Sequence, residues 1–177
     1  MKLLLIDNND SFTYNLYHLI IRNTGFDTCV LPYDKLPMCD NLEYDAFVIS
    51  PGPGHPSEYI YYSEIFNTGK PVFGVCLGMQ IINLHFAGEV TRLEGCRHGV
   101  TLPAEYNKEF IDVAVYNSLY CSLVPDVFEI ISKSVNVPMW IKHKEQPIAG
   151  VQFHPESFLT KNGGRILTDA FSSIGII

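Results

Sequence analysis

One cysteine, one histidine and one glutamate, each at the end of an apolar run, carry most of the chemistry available to this sequence. Cys76 lies in Val72 to Gln80, VFGVCLGMQ, between a small and apolar run and a glycine. The run reads as a buried strand and the residues beyond it as a helix, so the cysteine falls on a strand-turn-helix junction. Gly74 and Gly78 let the backbone bend sharply and expose a nucleophile there, and a helix N-terminus behind a thiol favours its thiolate. Taken alone, the stretch fits equally a cysteine that serves as a small buried hydrophobe.

Two further segments follow apolar strands. In Ser50-Pro51-Gly52-Pro53-Gly54-His55-Pro56, the prolines and glycines fix a backbone whose amides at Gly52 and Gly54 are free to face a developing negative charge; a rigid turn is the plain alternative. In Gly150-Val151-Gln152-Phe153-His154-Pro155-Glu156-Ser157, His154 and Glu156 stand two apart, a spacing that puts both side chains on one side of an extended chain. They read as a base oriented by an acid, or as an exposed pair. Together the three segments supply nucleophile, oxyanion donors, base and orienting carboxylate for covalent acyl transfer.

The elements that must position them alternate in type. Leu3–Ile6, Thr28–Leu31, Ala46–Ser50 and Val72–Val75 read as buried strands, the last two apolar on both faces as in a covered parallel sheet. A helix capped by Asp10 or Ser11 runs to Gly25, a second covers Ser57–Asn67, and a third runs from Leu77 to Ala87. Beyond Glu89 the chain turns β-rich, with Ile111–Tyr116, Val127–Ser132, Val137–Lys142 and Ile148–Phe153 as strands and Gly163–Phe171 as a closing helix. The expected fold is α/β: an open, mostly parallel central sheet with helices on both faces, flavodoxin-like in its three layers, and a partly antiparallel C-terminal extension. In such sheets functional residues gather beyond the carboxyl ends of strands, where all three segments fall.

The 177 residues form one domain large enough to bury a core without crosslinks. Five scattered cysteines, Cys29, Cys39, Cys76, Cys96 and Cys121, lack the spacing of a disulfide framework or a zinc site, so no metal is expected and a reduced, cytoplasmic setting is. A formal charge of −7 with no basic cluster excludes a nucleic-acid binder. The initial apolar run is too short for a signal peptide or a membrane span.

GVCLGMQ, SPGPGHP and GVQFHPES resemble the three signature blocks of the class I (triad) glutamine amidotransferases, over nearly the whole chain. IDNNDSFTYNL resembles the opening block of the glutamine amidotransferase component of anthranilate synthase and of aminodeoxychorismate synthase. The resemblance implies a glutaminase that releases ammonia from L-glutamine and passes it to a separate chorismate-using synthase subunit, component I, in a hetero-oligomer. It implies Cys76 as nucleophile, His154 and Glu156 as its partners, and an oxyanion hole from the amides of Gly52 and Leu77. Substrate contacts would come from Gly52, Pro53, Gly54, Gln80, Ser118 and Leu119. No cofactor is implied in this chain, any magnesium requirement falling on the synthase.

Met79 and Asn117 stand where such proteins usually carry histidine, and Asn9 replaces a common tyrosine. Met79 is expected to tune packing near the partner surface. The segment after His98-Gly99 is shorter than usual. Other readings of the same residues are an amidotransferase for a different acceptor, a stand-alone γ-glutamyl hydrolase, and a non-catalytic regulatory subunit.

Overall fold

A computed structural model describes residues 1–94 and 99–177; Cys96 and His98 lie outside the described residues. Strands β1 (Lys2–Asp7), β2 (Asp27–Pro32), β3 (Ala46–Ile49), β4 (Val72–Val75), β9 (Phe128–Ser134), β10 (Val137–His143) and β11 (Ile148–Val151) build one sheet in the order β2-β1-β3-β4-β11-β10-β9. The first five in that order run parallel; β10 and β9 are antiparallel to their neighbours. Every residue of β3, β4 and β11 is buried, as a sheet covered on both faces requires.

One face is covered by helices α1 (Thr13–Thr24) and α4 (Gly163–Ser173) and by the hairpin of β6 (Val100–Tyr106) and β7 (Glu109–Val115); Leu16, Ile20, Ile166, Leu167 and Phe171 pack there on Leu5, Val48 and Phe73. The other face carries α2 (Ser63–Asn67), α3 (Leu77–His85) and the two-stranded sheet of β5 (Glu89–Arg92) with β8 (Leu119–Leu123), closing a second core around Phe47, Ile49, Met79 and Ile82. The three layers and the antiparallel extension match the expected fold.

Four expectations change in detail. The helix over Ser57–Asn67 is two separate 3-10 turns, Pro56–Glu58 and Ile60–Tyr62, followed by the short α2. A capping box between His55 and Glu58 closes the first turn, and Tyr33 packs against Tyr59, Tyr61 and Tyr62, so aromatic packing overrides helical continuity. Asp10 caps the turn before α1 instead of the helix, its carboxylate accepting from the Phe12 amide at 2.8 Å. The strand expected to reach Phe153 ends at Val151. Met79 is wholly buried beneath the sheet face, its Cβ side against Gly150, so it is a core residue and not part of a surface.

Candidate active site

The end of β4 and the start of α3 meet at Cys76, whose backbone has φ 52° and ψ −103°. This region is strained for any residue with a Cβ and costs about 1–3 kcal/mol, so the surroundings must enforce it. They do so through contacts that only glycine allows. A Cβ on Gly78 would lie 2.4 Å from the Ile49 carbonyl oxygen, and one on Gly74 would lie 2.4 Å from the Gly78 carbonyl carbon. The helix is thereby pressed onto β3 and β4, and the Cys76 amide is tied to the Val151 carbonyl at 2.7 Å.

Parallel pairing of β4 with β11 matches Val75 to Val151, so the residues just past β11 emerge beside the cysteine. His154 follows in a turn, not in extended chain, with the Ser157 amide donating to the His154 carbonyl at 3.2 Å. Within that turn His154 Nδ1 and Glu156 Oε1 are 2.6 Å apart, and both side chains are almost fully buried. The i, i+2 pair therefore meets through the turn at Pro155, not through strand geometry. The imidazole packs edge-on against Tyr116 and Phe12, with centroids 4.9 and 5.6 Å away. Its backbone is held by the Ala114 carbonyl at 2.9 Å and by the Thr160 hydroxyl, which donates to the His154 carbonyl at 2.6 Å.

Nε2 of His154 is buried and has no hydrogen-bond partner, leaving it free on the Cys76 side. Burial alone lowers the pKa of this imidazole. The adjacent Cys76 sulfur and the Glu156 carboxylate outweigh burial and hold it well above the usual histidine range. The charged form of this imidazole is thus favoured in its buried setting.

Two cavities meet at Cys76. The smaller, about 260 Å³, is lined by Gly52, Pro53, Gly54, Leu77, Gln80, Asn117, Ser118 and Leu119 together with Cys76. The larger, about 700 Å³, is bounded by Asn9 to Phe12, by Pro51 to Pro53, and by Gly99, Tyr116, His154 and Cys76. The structure therefore brings every residue singled out for oxyanion and substrate contact to the wall of one small cavity that Cys76 also lines, while His154 and Cys76 both line the adjoining one.

Residues that the sequence did not single out hold this wall in place. Asn8 donates through Nδ2 to the Ser50 carbonyl at 2.9 Å and through its amide to Ser50 Oγ at 2.9 Å, and its Oδ1 accepts from Tyr62 at 2.6 Å. Tyr59 donates to the Pro53 carbonyl at 2.8 Å. A Cβ on Gly52 would meet Asn8 Cβ at 2.6 Å and Leu77 Cδ2 at 2.7 Å. Gly52→Ala is therefore expected to push the loop off Leu77 and to cut the glutamine hydrolysis that the sequence resemblance implies by about 10²-fold or more, the scale of losing one oxyanion donor; release of glutamate by the variant measures it, and an unchanged rate removes Gly52 from that role.

Residues 4–174 match the family of class-I glutamine amidotransferases. The chain is 35% identical to anthranilate synthase component 2 of Leptospira biflexa, an alignment covering 98% of this chain and all of the relative. It is 37% identical to aminodeoxychorismate synthase component 2 of Escherichia coli, covering 94% of this chain and 97% of the relative. Among solved structures, a GMP synthase subunit of Thermoplasma acidophilum superimposes with a TM-score of 0.86 over 99% of this chain and 94% of its own, at 23% identity, which bears on the fold alone.

Proposed function

Since this chain belongs to the class-I glutamine amidotransferase family, we propose that it hydrolyses L-glutamine at Cys76 and hands the ammonia to a separate chorismate-using synthase subunit. The observation that carries this reading is the small cavity lined by Cys76, with the His154–Glu156 pair at the adjoining cavity that Cys76 also lines.

The glutamine side chain enters between the Gly52-Pro53-Gly54 loop and Ser118-Leu119, and Gln80 lines its path. The Cys76 thiolate attacks the carboxamide carbon, and the oxyanion that forms is held by the amides of Gly52 and Leu77, the latter at the N-terminus of α3. Imidazolium His154, oriented by Glu156, gives its proton to the departing nitrogen, so ammonia leaves and a γ-glutamyl thioester remains. A water molecule then loses a proton to His154 and attacks the thioester. Glutamate leaves, and the thiolate–imidazolium pair is restored. Each step uses only this chain's side chains and backbone amides together with water, so we assign it no cofactor.

The component 2 names of relatives from both pathways support a component I partner whose acceptor is chorismate, giving anthranilate or 4-amino-4-deoxychorismate. We place it in the cytoplasm, a reducing compartment that suits the free thiols of Cys29, Cys39, Cys76 and Cys121.

The partner is expected to act on the loop around Gly52, shifting its population toward the competent geometry. Glutaminase activity of the isolated chain should then rise about 5- to 150-fold on adding the synthase subunit, the range of ordinary coupling energies. Titrating the chain with each kind of component I while following glutamate and the aminated product tests this and identifies which product is made. A full rate in the isolated chain, unaffected by either subunit, would favour a stand-alone hydrolase.

A further inference from the structure

We infer that Gln152 is a working part of this active site: its carboxamide donates a hydrogen bond to the nucleophilic sulfur and steadies the thiolate, at the end of an ordered chain of amides that begins in the substrate wall. The inference rests on the reading of Cys76 as nucleophile. Gln152 is wholly buried and lies one step beyond the Val75–Val151 pair, level with Cys76. Its Nε2 is 3.6 Å from Cys76 Sγ, the separation of an N–H···S hydrogen bond.

The direction of that bond is set by the groups behind it. The Leu119 carbonyl can only accept, and it takes hydrogen bonds from Asn117 Nδ2 at 2.8 Å and from Gln80 Nε2 at 3.0 Å. Gln80 Nε2 also donates to Gln152 Oε1 at 3.1 Å. With its oxygen engaged by Gln80, Gln152 must turn its NH₂ toward the sulfur. An acceptor in that place would oppose the thiolate; a donor stabilises it, and more strongly than it does the neutral thiol. Successive amides polarise one another along such a chain, so the same network that shapes the wall at Leu119 and Gln80 also favours negative charge on Cys76. Asn117 takes part as the second donor to Leu119.

The test uses the full chain and reads alkylation of Cys76 by iodoacetamide against pH, located by peptide mass spectrometry so that the other thiols do not contribute. In Gln152→Met, similar in length but without a donor, the midpoint of the alkylation profile should move up by about one pH unit, the size of one hydrogen bond to a charged group. With the synthase subunit present, kcat for glutamine should fall about tenfold at pH 7 with KM little changed. Gln80→Met leaves the sulfur's contact intact but frees the Gln152 amide to turn over, so its alkylation midpoint should move the same way by less, while KM also rises because Gln80 lines the glutamine cavity. An unchanged midpoint in Gln152→Met overturns the inference. Should that variant fail to fold, as judged by its circular dichroism and melting, Gln80→Met decides alone, an unchanged midpoint again overturning it. Alkylation is read without glutamine turnover, so a chain with no glutaminase activity defeats the functional reading while the midpoint shift still reports on Gln152.

Discussion

In Cys76→Ala, glutamine-dependent formation of the aminated product falls by at least about 10⁴-fold, while the product formed from added ammonium salts with the same synthase subunit is unchanged. The size reflects the loss of the covalent step: the remaining oxyanion donors and binding contacts supply only part of the rate enhancement, and removal of a nucleophile typically costs 10⁴-fold or more. The selectivity comes from position. Cys76 lines the small cavity proposed for glutamine, and its side chain is small, so alanine keeps both the cavity shape and the strained turn, whose φ of 52° is imposed by Gly74, Gly78 and the strand behind them. Parallel assays with glutamine and with ammonium chloride measure it. Loss of both activities would mean that the cysteine supports the fold or the partner interface, and retention of both would return it to the role of a buried hydrophobe.

Local patterns made the frame of the fold legible. Ala46–Ile49 and Val72–Val75 are apolar at every position because both faces of the central strands are covered, and that property is written in the residues themselves. Gly25 ends α1 in a left-handed conformation, with its amide on the Ile21 carbonyl at 2.9 Å, which a glycine at that place announces. β5, Glu89–Arg92, is largely exposed and β6 contains Pro103; both pair only in two-stranded sheets outside the main one, where a polar strand and a proline are tolerated, so neither carries the apolar signature of a core strand.

Within the site the same division holds. Cys76 and the glycines around it are close in sequence, so the sharp turn is legible there, although the stretch alone fits a buried cysteine equally well. Gln152 is different: its meeting with Cys76 depends on a parallel register between strands 76 residues apart, and no periodicity within either segment fixes that offset. Asn8 escaped notice for a like reason. Its value lies in reaching Ser50 and Tyr62 across two crossovers of the sheet, while in sequence it is one polar residue at a strand end.

Glu156→Gln is expected to lower kcat/KM for glutamine by about 10⁴-fold with the synthase subunit bound, the size of the loss when the orienting carboxylate of a triad is made neutral. The carboxylate has two effects that a carboxamide lacks. It accepts the Nδ1 proton over 2.6 Å in a buried setting, which fixes the tautomer that leaves Nε2 facing the thiol. It also opposes burial, which by itself drives the His154 pKa down; with a carboxamide in its place burial gains and the imidazolium is weakened. Stability should carry the same signature. His154 has a folded pKa raised above its unfolded value, so its contribution is fully present below about pH 6.5 and is lost as pH rises through the folded value. The melting temperature of the variant should therefore lie furthest below wild type near about pH 6 and approach it under alkaline conditions, leaving a residual gap because the buried amide gains donors where Glu156 Oε2 already has no partner. Since the Cys76 sulfur also supports the imidazolium, repeating the melts in a Cys76→Ala background isolates the carboxylate's share. A gap that stays constant with pH in both backgrounds would mean that His154 is neutral in the resting protein, and that Glu156 serves it as a hydrogen-bond acceptor alone.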